Sequence, residues 1–439
     1  MRIAMLGAGY VGLVSGACFA EFGVEVRLVD TDAAKVAGLR EGRIPIYEPG
    51  LDRLVEDNAR EGRLRFTTDL AEAMAGADAV FLSVGTPSRR GDGHADLSYV
   101  FAAAEQVARA AAGPLVLVTK STVPVGTGRR VREVVRAARP DLPIEVASNP
   151  EFLREGSAIG DFMRPDRVVI GTGDGPGGER ALAVLKRLYR PLYLIETPIV
   201  ATSIETAELT KYAANAFLAM KVTFINEVAD LCERVGADVH DVARGMGLDG
   251  RIGRKFLRAG PGYGGSCFPK DTLALARTAA DAGSPVRLVE TTIAVNEERK
   301  AAMAERVVAA LGGDVAGKTV AVLGLTFKPE TDDMRDAPSL SVLPPLAAAG
   351  AKLRAFDPAG TGTARQLLPA GVHYAANALD AAKGADALVL LTEWNEFRAL
   401  SSARLREAMR GDVVLDFRNV YDPEAMRAAG FRYHSIGRP

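Results

Sequence analysis

Short apolar runs, set off by glycine and by polar helix-forming stretches, recur along the chain. Arg2-Ile3-Ala4-Met5-Leu6 shows no apolar/polar alternation, which predicts a strand buried on both faces, as in a parallel sheet. A glycine-rich turn follows, then a helical segment to about Phe22 and a second strand over Val24 to Val29, ending at Asp30. The pattern returns near the other end. Lys318 to Gly324 echoes the first strand, Gly350 to Asp357 echoes Gly23 to Asp30, Gly384 to Leu391 echoes Gly76 to Ser83, and Val413 to Asp416 echoes Leu115 to Val118. Four echoes in one order predict two α/β domains of similar, doubly wound topology.

Between them, roughly Ala201 to Ala310 is helical in pattern. Ser203 to Val235 lacks Gly and Pro and carries Leu209, Tyr212, Ala213, Ala216, Phe217 and Met220 at helical spacing. This predicts one helix about 50 Å long, with surplus apolar surface that suggests a homo-oligomer, at least a dimer. The expected domains are 1–200, 201–310 and 311–439. Gly171 to Gly178, with Pro176, reads as a surface loop inside the first.

Composition narrows the partners. With Lys+Arg 54 against Asp+Glu 55 and a net charge of -1, nothing in the charge balance calls for nucleic acid or an anionic membrane. No uninterrupted apolar run is long enough to span a bilayer. Arg2 and the apolar residues up to Ala20 superficially resemble a secretory signal, but Gly7, Gly9, Gly12 and Gly16 would break its apolar core. Cys18, Cys232 and Cys267 are odd in number and far apart, which fits a reducing, cytoplasmic compartment and argues against a disulfide framework. None of the four histidines falls within a recognisable motif, and no metal site is expected.

The glycines of the first turn have a better explanation. Gly7-Ala8-Gly9-Tyr10-Val11-Gly12 lies between a strand and a helix, and Asp30 closes the next strand. This is the dinucleotide fingerprint in its structural context, and it makes the first domain Rossmann-like. The helix N-terminus favours the pyrophosphate and the acid can take both ribose hydroxyls, so NAD is favoured over NADP. The second copy reads Gly324-Leu325-Thr326-Phe327-Lys328-Pro329, without such a turn, so a second dinucleotide is not expected. There Phe327 and Lys328 either meet a flat ring and a phosphate or form an ordinary strand exit with a solvated lysine.

A second constellation is Gly260-Pro-Gly-Tyr-Gly-Gly-Ser-Cys267-Phe-Pro-Lys270-Asp271. Thr272 to Ala282 reads as a helix, placing Cys267 just ahead of its N-terminus, where a thiol beside a lysine becomes a nucleophile. Most free cysteines are small buried hydrophobes, but four glycines in the eight preceding residues suit close ligand approach rather than packing. Asp271 either caps that helix or orients water near the sulfur. Lys211 and Asn215 share one helix face and either stabilise an oxyanion or are ordinary polar helix residues. Thr86-Pro87, Lys120-Ser121-Thr122-Val123-Pro124 and Asn149-Pro-Glu151-Phe152-Leu153-Arg154-Glu155-Gly156 each follow a strand at the edge where α/β ligands bind.

Together with Glu208-Leu-Thr-Lys-Tyr-Ala-Ala-Asn-Ala-Phe217 and Arg251-Ile-Gly253, these stretches resemble the UDP-glucose 6-dehydrogenase family of nucleotide-sugar dehydrogenases across essentially the whole chain. The resemblance implies oxidation of a nucleotide sugar's C6 alcohol to a carboxylate with two NAD and one water. It implies that Cys267 carries a thiohemiacetal and then a thioester, that Lys211 and Asn215 surround the C6 oxygen, and that Asp271, Glu151 and Thr122 handle protons and water. For the cofactor it implies Val11, Asp30, Lys35, Thr86, Thr122, Glu155, Lys270 and Arg335. For the nucleotide sugar it implies Phe152, Leu153, Arg154, Arg251, Phe256, Leu257, Arg258, Ala259, Gly260, Gly264, Phe327, Lys328 and Arg418, with Glu151, Glu155, Lys211 and Asn215 also near the sugar. Arg251 is expected to reach a neighbouring subunit's site. Ser266 stands where relatives acting on UDP-N-acetylmannosamine carry histidine, which favours UDP-glucose; those relatives and GDP-mannose members are the alternatives. A two-electron dehydrogenase of the 6-phosphogluconate or hydroxyacyl type would have no use for Cys267. A non-catalytic sugar-binding protein would have no need of Lys211, Asn215 and Asp271.

Overall fold

Both faces of the first strand feed a core. The computed structural model describes residues 1–87, 89 and 93–438 and comprises two compact units, Met1–Ala214 and Asn215–Pro439. In the first unit, Ile3 and Met5 pack with Leu13 and Phe19 of the helix Tyr10–Glu21. Ala4 and Leu6 point the other way, into a cluster with Val100, Ala104 and Val107 of the helix Ser98–Ala110. Helices on both sides leave no solvent face, which is why the strand reads as an unbroken apolar run.

The strands of this unit are β1 (Arg2–Leu6), β2 (Glu25–Val29), β3 (Leu64–Thr67), β4 (Ala79–Leu82), β5 (Leu115–Thr119), β6 (Ile144–Ser148), β7 (Val168–Thr172) and β8 (Ile199–Ser203). They stand in the order β3-β2-β1-β4-β5-β6-β7-β8, parallel throughout except where β7 meets β6. The chain winds outward from β1 to β3, then restarts on the other side at β4. The crevice beyond the carboxyl ends of β1 and β4 is therefore the topological switch point, where ligands of open α/β sheets bind.

In the second unit, β9 (Thr319–Leu323), β10 (Lys352–Phe356), β11 (His373–Tyr374), β12 (Ala387–Leu390), β13 (Val413–Asp416) and β14 (Arg432–Ser435) stand in the order β11-β10-β9-β12-β13-β14. Neighbouring strands are all parallel. That order repeats β3-β2-β1-β4-β5-β6, so the echoes in the sequence reflect one topology used twice. The expected fold, two Rossmann-like sheets with a helical region between them, is the one observed. Ile204–Val235 is a single helix of 32 residues, and Val239–Gly247, Phe268–Asp281 and Arg287–Ala310 complete the helical region.

Two local expectations are corrected. Gly171 to Gly178 is not a loop: β7 runs to Thr172 and a helix starts at Gly175, with Pro176 in its first turn. Proline suits that position because its missing N–H has no helical partner to lose. The helix after Cys267 begins at Phe268 rather than near Thr272, again with a proline, Pro269, in its first turn. Asp271 therefore lies within the helix and is not its cap.

The two copies differ in the acid that closes their second strand. Asp357 is 2% exposed. It accepts hydrogen bonds from the N–H groups of Leu325 (2.6 Å), Thr326 (3.1 Å), Ala359 (2.9 Å) and Gly360 (2.7 Å), and from the Trp394 indole at 3.3 Å. Here the acid is wholly occupied in tying the turn after β9 to β10. Asp357→Ala should cost about 3 kcal/mol or more, since several buried donors lose their acceptor at once. Urea denaturation is the check, and Asp357→Asn should fall between the variant and the wild type.

Candidate active site

The fingerprint turn is built as its chemistry requires. Gly7 has φ +102°, and a Cβ there would stand 2.5 Å from the Ser83 carbonyl oxygen. A Cβ on Gly12 would stand 1.9 Å from the Gly7 carbonyl oxygen, whereas one on Gly9 would meet nothing within 4 Å. The first and third glycines thus close the turn, and the second leaves its approach open. The helix that follows has neither a side-chain cap nor an acid in its first turn. Its leading N–H groups, including that of Val11, have no intrahelical partner and so suit an anion. Asp30 accepts from the Ala8 N–H at 2.8 Å, the Asp32 N–H at 2.9 Å and Lys35 Nζ at 3.0 Å. Burial pushes its carboxyl up, but those three donors together hold it below the usual carboxylate range. These residues fit a dinucleotide: an open glycine, an uncapped helix and an ionised acid.

Further along the same edge, Thr86 Oγ1 donates to the Thr122 carbonyl at 3.0 Å, joining the loops after β4 and β5. Beyond β6, Glu151 and Lys211 form a buried ion pair at 3.0 Å, with side chains 5% and 3% exposed. Glu151 also accepts from the Leu153 N–H at 2.6 Å, and Lys211 Nζ lies 5.4 Å from the centre of the Phe152 ring. Burial opposes ionisation of Glu151, but the charge of Lys211, with help from Leu153 and Lys120, outweighs it and holds the carboxyl low. Arg154 pairs with Asp161, and Glu155 is half-buried.

In the second unit Cys267 is the residue immediately before the helix Phe268–Asp281 and is half-buried. Its Sγ lies 3.4 Å from Ser266 Oγ. Asp271, 1% exposed, accepts from Asn215 Nδ2 at 2.6 Å and from Lys270 Nζ at 2.7 Å. Asn215 stands one helical turn after Lys211 on the long helix. The glycine loop leading to the cysteine is pinned by backbone contacts: the Gly265 N–H donates to the Arg335 carbonyl at 2.7 Å. Gly265 has φ +86°, and a Cβ there would stand 2.7 Å from the Phe327 ring. Phe327 therefore packs on the cysteine loop rather than forming an ordinary strand exit, and Lys328 Nζ lies 5.2 Å from its ring centre.

A Cβ on Gly264 would stand 2.3 Å from the Asp336 carbonyl oxygen, and one on Gly260 would stand 3.0 Å from Arg418 Nη1. Arg418 donates to the carbonyls of Leu391 (2.7 Å) and Phe327 (2.9 Å) and pairs with Glu393 at 3.2 Å. Arg258 approaches Glu393 at 3.8 Å. Leu257 and Ala259 are buried, and Phe256 holds φ +64° with its ring 5.9 Å from that of Phe268. Arg251 is not among the residues brought together here, and Arg335 joins them through its carbonyl, which accepts from the Gly265 N–H. Each is exposed and paired with a local acid, Asp249 and Asp333 respectively.

Three supports of the cysteine loop are not among the residues that the sequence singles out. Asn226 accepts from the Gly260 N–H at 2.8 Å, Asn296 accepts from the Tyr263 N–H at 2.8 Å, and Arg299 donates to the Gly260 carbonyl at 2.7 Å. Polar side chains at otherwise apolar helix positions were the available signal. Lys120, 3% exposed, donates to Asn149 Oδ1 at 3.0 Å and to the Tyr189 hydroxyl at 3.1 Å, and burial lowers its pKa to about 8. Glu208 accepts from the N–H groups of Gly126 and Gly128, both at 2.7 Å, and burial raises it to about 7. It ties the segment after Thr122 to the helix carrying Lys211. No group of three or more potential metal ligands occurs among the described residues, and no helix of the described residues is long and apolar enough to cross a membrane.

Comparison with known proteins agrees with this layout. Residues 1–193 match the NAD binding domain of the UDP-glucose/GDP-mannose dehydrogenase family, residues 205–298 its central domain and residues 321–423 its UDP binding domain. The chain is 61% identical to a UDP-glucose 6-dehydrogenase of Rhizobium meliloti, with 100% of both proteins covered. It is 47% identical to UDP-glucose 6-dehydrogenase TuaD of Bacillus subtilis, over 100% of this chain and 93% of that one. Among solved structures, a UDP-glucose dehydrogenase from Pyrobaculum islandicum matches with a TM-score of 0.90 and 40% identity, covering 100% of this chain and 98% of that one.

The Glu151–Lys211 pair yields a pH-dependent expectation. Lys211→Met would strand a buried carboxylate and should destabilise the protein by about 3 kcal/mol at pH 7. In the wild type the depressed pKa of Glu151 contributes stability above the unfolded carboxylate value, which is lost as pH falls through the lower folded value. In the variant the unpaired carboxyl binds its proton earlier, so the gap between the two proteins should narrow as pH falls from 7 towards 4. Urea denaturation across that range measures it, and Glu151→Gln combined with Lys211→Met should recover much of the loss.

Proposed function

Because the chain belongs to the UDP-glucose/GDP-mannose dehydrogenase family, we propose that it oxidises the C6 alcohol of UDP-glucose to the carboxylate of UDP-glucuronate, using two NAD and one water. The observation that carries this reading is Cys267 at the head of the helix Phe268–Asp281, half-buried, with the Asn215–Asp271–Lys270 network on the helix's first turn. A simple alcohol dehydrogenase has no need of a thiol so placed.

In this reading residues 1–200 hold NAD, residues 201–310 carry the cysteine loop and residues 311–439 hold the UDP moiety. The open Gly9, the N–H of Val11 and the carboxylate of Asp30 hold the cofactor, which when bound supplies the hydride acceptor for each oxidation. Cys267 adds its sulfur to the C6 aldehyde left by the first oxidation, and the aldehyde oxygen takes a proton to give a thiohemiacetal. The second oxidation removes the C6 hydrogen as hydride and the hydroxyl proton, leaving a thioester. Water then attacks the thioester carbonyl, the carboxylate is released, and the sulfur leaves as thiolate. A covalent adduct suits such a reaction because it retains the reactive aldehyde between the two oxidations.

Lys211 and Asn215 donate towards the oxygen on C6 as charge develops there. Asp271 and Glu151, with Thr122, orient water and move protons. Arg258, Arg418 and Lys328 meet the diphosphate, and Phe327 braces the cysteine loop. The homo-oligomer expected from the long helix is supported by Phe217, Phe224 and Leu231, exposed at seven-residue intervals along it.

The test is NADH formed per mole of limiting UDP-glucose. Wild type should give two, and Cys267→Ala should lose the double oxidation. One NADH per sugar in both proteins would remove the thiol from the mechanism. Turnover of GDP-mannose in place of UDP-glucose would move the substrate assignment and leave the chemistry intact.

A further inference from the structure

Glu48 lies in the segment Arg43-Ile-Pro-Ile-Tyr-Glu48-Pro-Gly50, which carries none of the groups assigned above. It is a buried carboxylate, 7% exposed. It accepts the hydroxyl hydrogen of Tyr10, the N–H of Gly156 at 2.6 Å and the N–H of Ala158 at 2.8 Å. Tyr10 opens the fingerprint helix and precedes Val11. Gly156 follows Glu155 and ends the loop that runs from Glu151. One side chain thus joins the phosphate-binding turn after β1 to the loop after β6, two segments that β4 and β5 separate in the sheet.

The geometry points to Glu48 as a positioning residue for cofactor binding, one that sets where Glu155 stands relative to the fingerprint turn. This rests on the reading of Val11 and Glu155 as cofactor contacts. The two ends of the Glu151–Gly156 loop are held independently. Glu151 is fixed by Lys211 and by the Leu153 N–H, and Arg154 by Asp161, so loss of the Glu48 contacts loosens Glu155 and Gly156 and leaves Glu151 to Arg154 in place. The effect therefore falls on cofactor affinity and not on the chemical step. Both carboxylate oxygens are engaged, Oε2 by Tyr10 and Gly156 and Oε1 by Ala158. A glutamine, with one acceptor oxygen, cannot reproduce all three bonds.

The experiment is a fluorescence titration of the full chain with NADH in the absence of sugar, alongside the KM for NAD and kcat with UDP-glucose. Glu48→Gln should weaken NADH binding and raise the KM for NAD by about tenfold, the value of one charge-assisted hydrogen bond, while kcat at saturating NAD stays within about twofold. Tyr10→Phe should shift both in the same direction by less. Asn58→Ala serves as the control. Asn58 is buried in the same unit and bonded to Glu21 at 2.8 Å, so its loss should lower Tm and leave NADH affinity unchanged. If Glu48→Gln lowers Tm but binds NADH like wild type, Glu48 is structural only and the inference falls. Should Glu48→Gln fail to fold, wild-type affinity in Tyr10→Phe overturns it equally. Failure of the wild type to bind NADH would overturn the dehydrogenase reading together with this one.

Discussion

A parallel strand covered by helices on both faces has no place to display a polar side chain along its length. Its chemistry must come after its last residue. That constraint organises the first unit: β1, β4, β5 and β6 are almost wholly apolar inside, and the candidate residues at that edge lie in the segments that leave their carboxyl ends. The fingerprint turn, Thr86, Thr122 and the loop from Glu151 to Glu155 are brought to one edge by the sheet, although more than a hundred residues separate the first from the last. The sheet supplies position, and the segments beyond it supply the groups that act.

Position alone would leave charges stranded in a dry interior, and the structure answers with partners. Glu151 faces Lys211, and Lys120 is held by Asn149 and Tyr189. Asp271 is shared by Asn215 and Lys270. These contacts fix each side chain before a ligand arrives, so little reorganisation is left for the reaction itself. The cysteine loop follows the same logic with backbone groups. Asn226, Asn296 and Arg299 satisfy the amides and carbonyls of Gly260 and Tyr263, which lets a glycine-rich segment hold one shape.

The sequence made the fold legible because its evidence is local. Unbroken apolar runs mark two-sided strands, and repeated order marks repeated topology, as β9 to β13 bear out. The Cys267 motif was legible because four glycines and a cysteine so close together have few structural uses. What escaped reading depends on contacts between distant segments. Asn226 and Asn296 look like ordinary polar helix residues until the Gly260 loop is laid against them. Glu208 opens a stretch that carries the resemblance, but nothing in that stretch shows that it accepts from the amides of Gly126 and Gly128. The helix from Gly175 lies where the sequence suggests a loop, and the helix from Phe268 starts earlier than its Ala/Leu-rich run suggests; in both, a proline occupies the first turn.

The two copies of the fold also show what the acid closing the second strand does first. In both it grips the turn after the opening strand, through the N–H of Ala8 for Asp30 and of Leu325 for Asp357. Asp30 keeps more of its carboxylate accessible than Asp357 does, as its proposed role at a ribose requires. Engineering a different nucleotide preference by replacing Asp30 would therefore also release the backbone that shapes the phosphate cradle. On the proposed reading of Asp30 as the ribose contact, selectivity and scaffold integrity are one inherited trait, and a redesign must supply a new acceptor for Ala8 before it can discard the old acid.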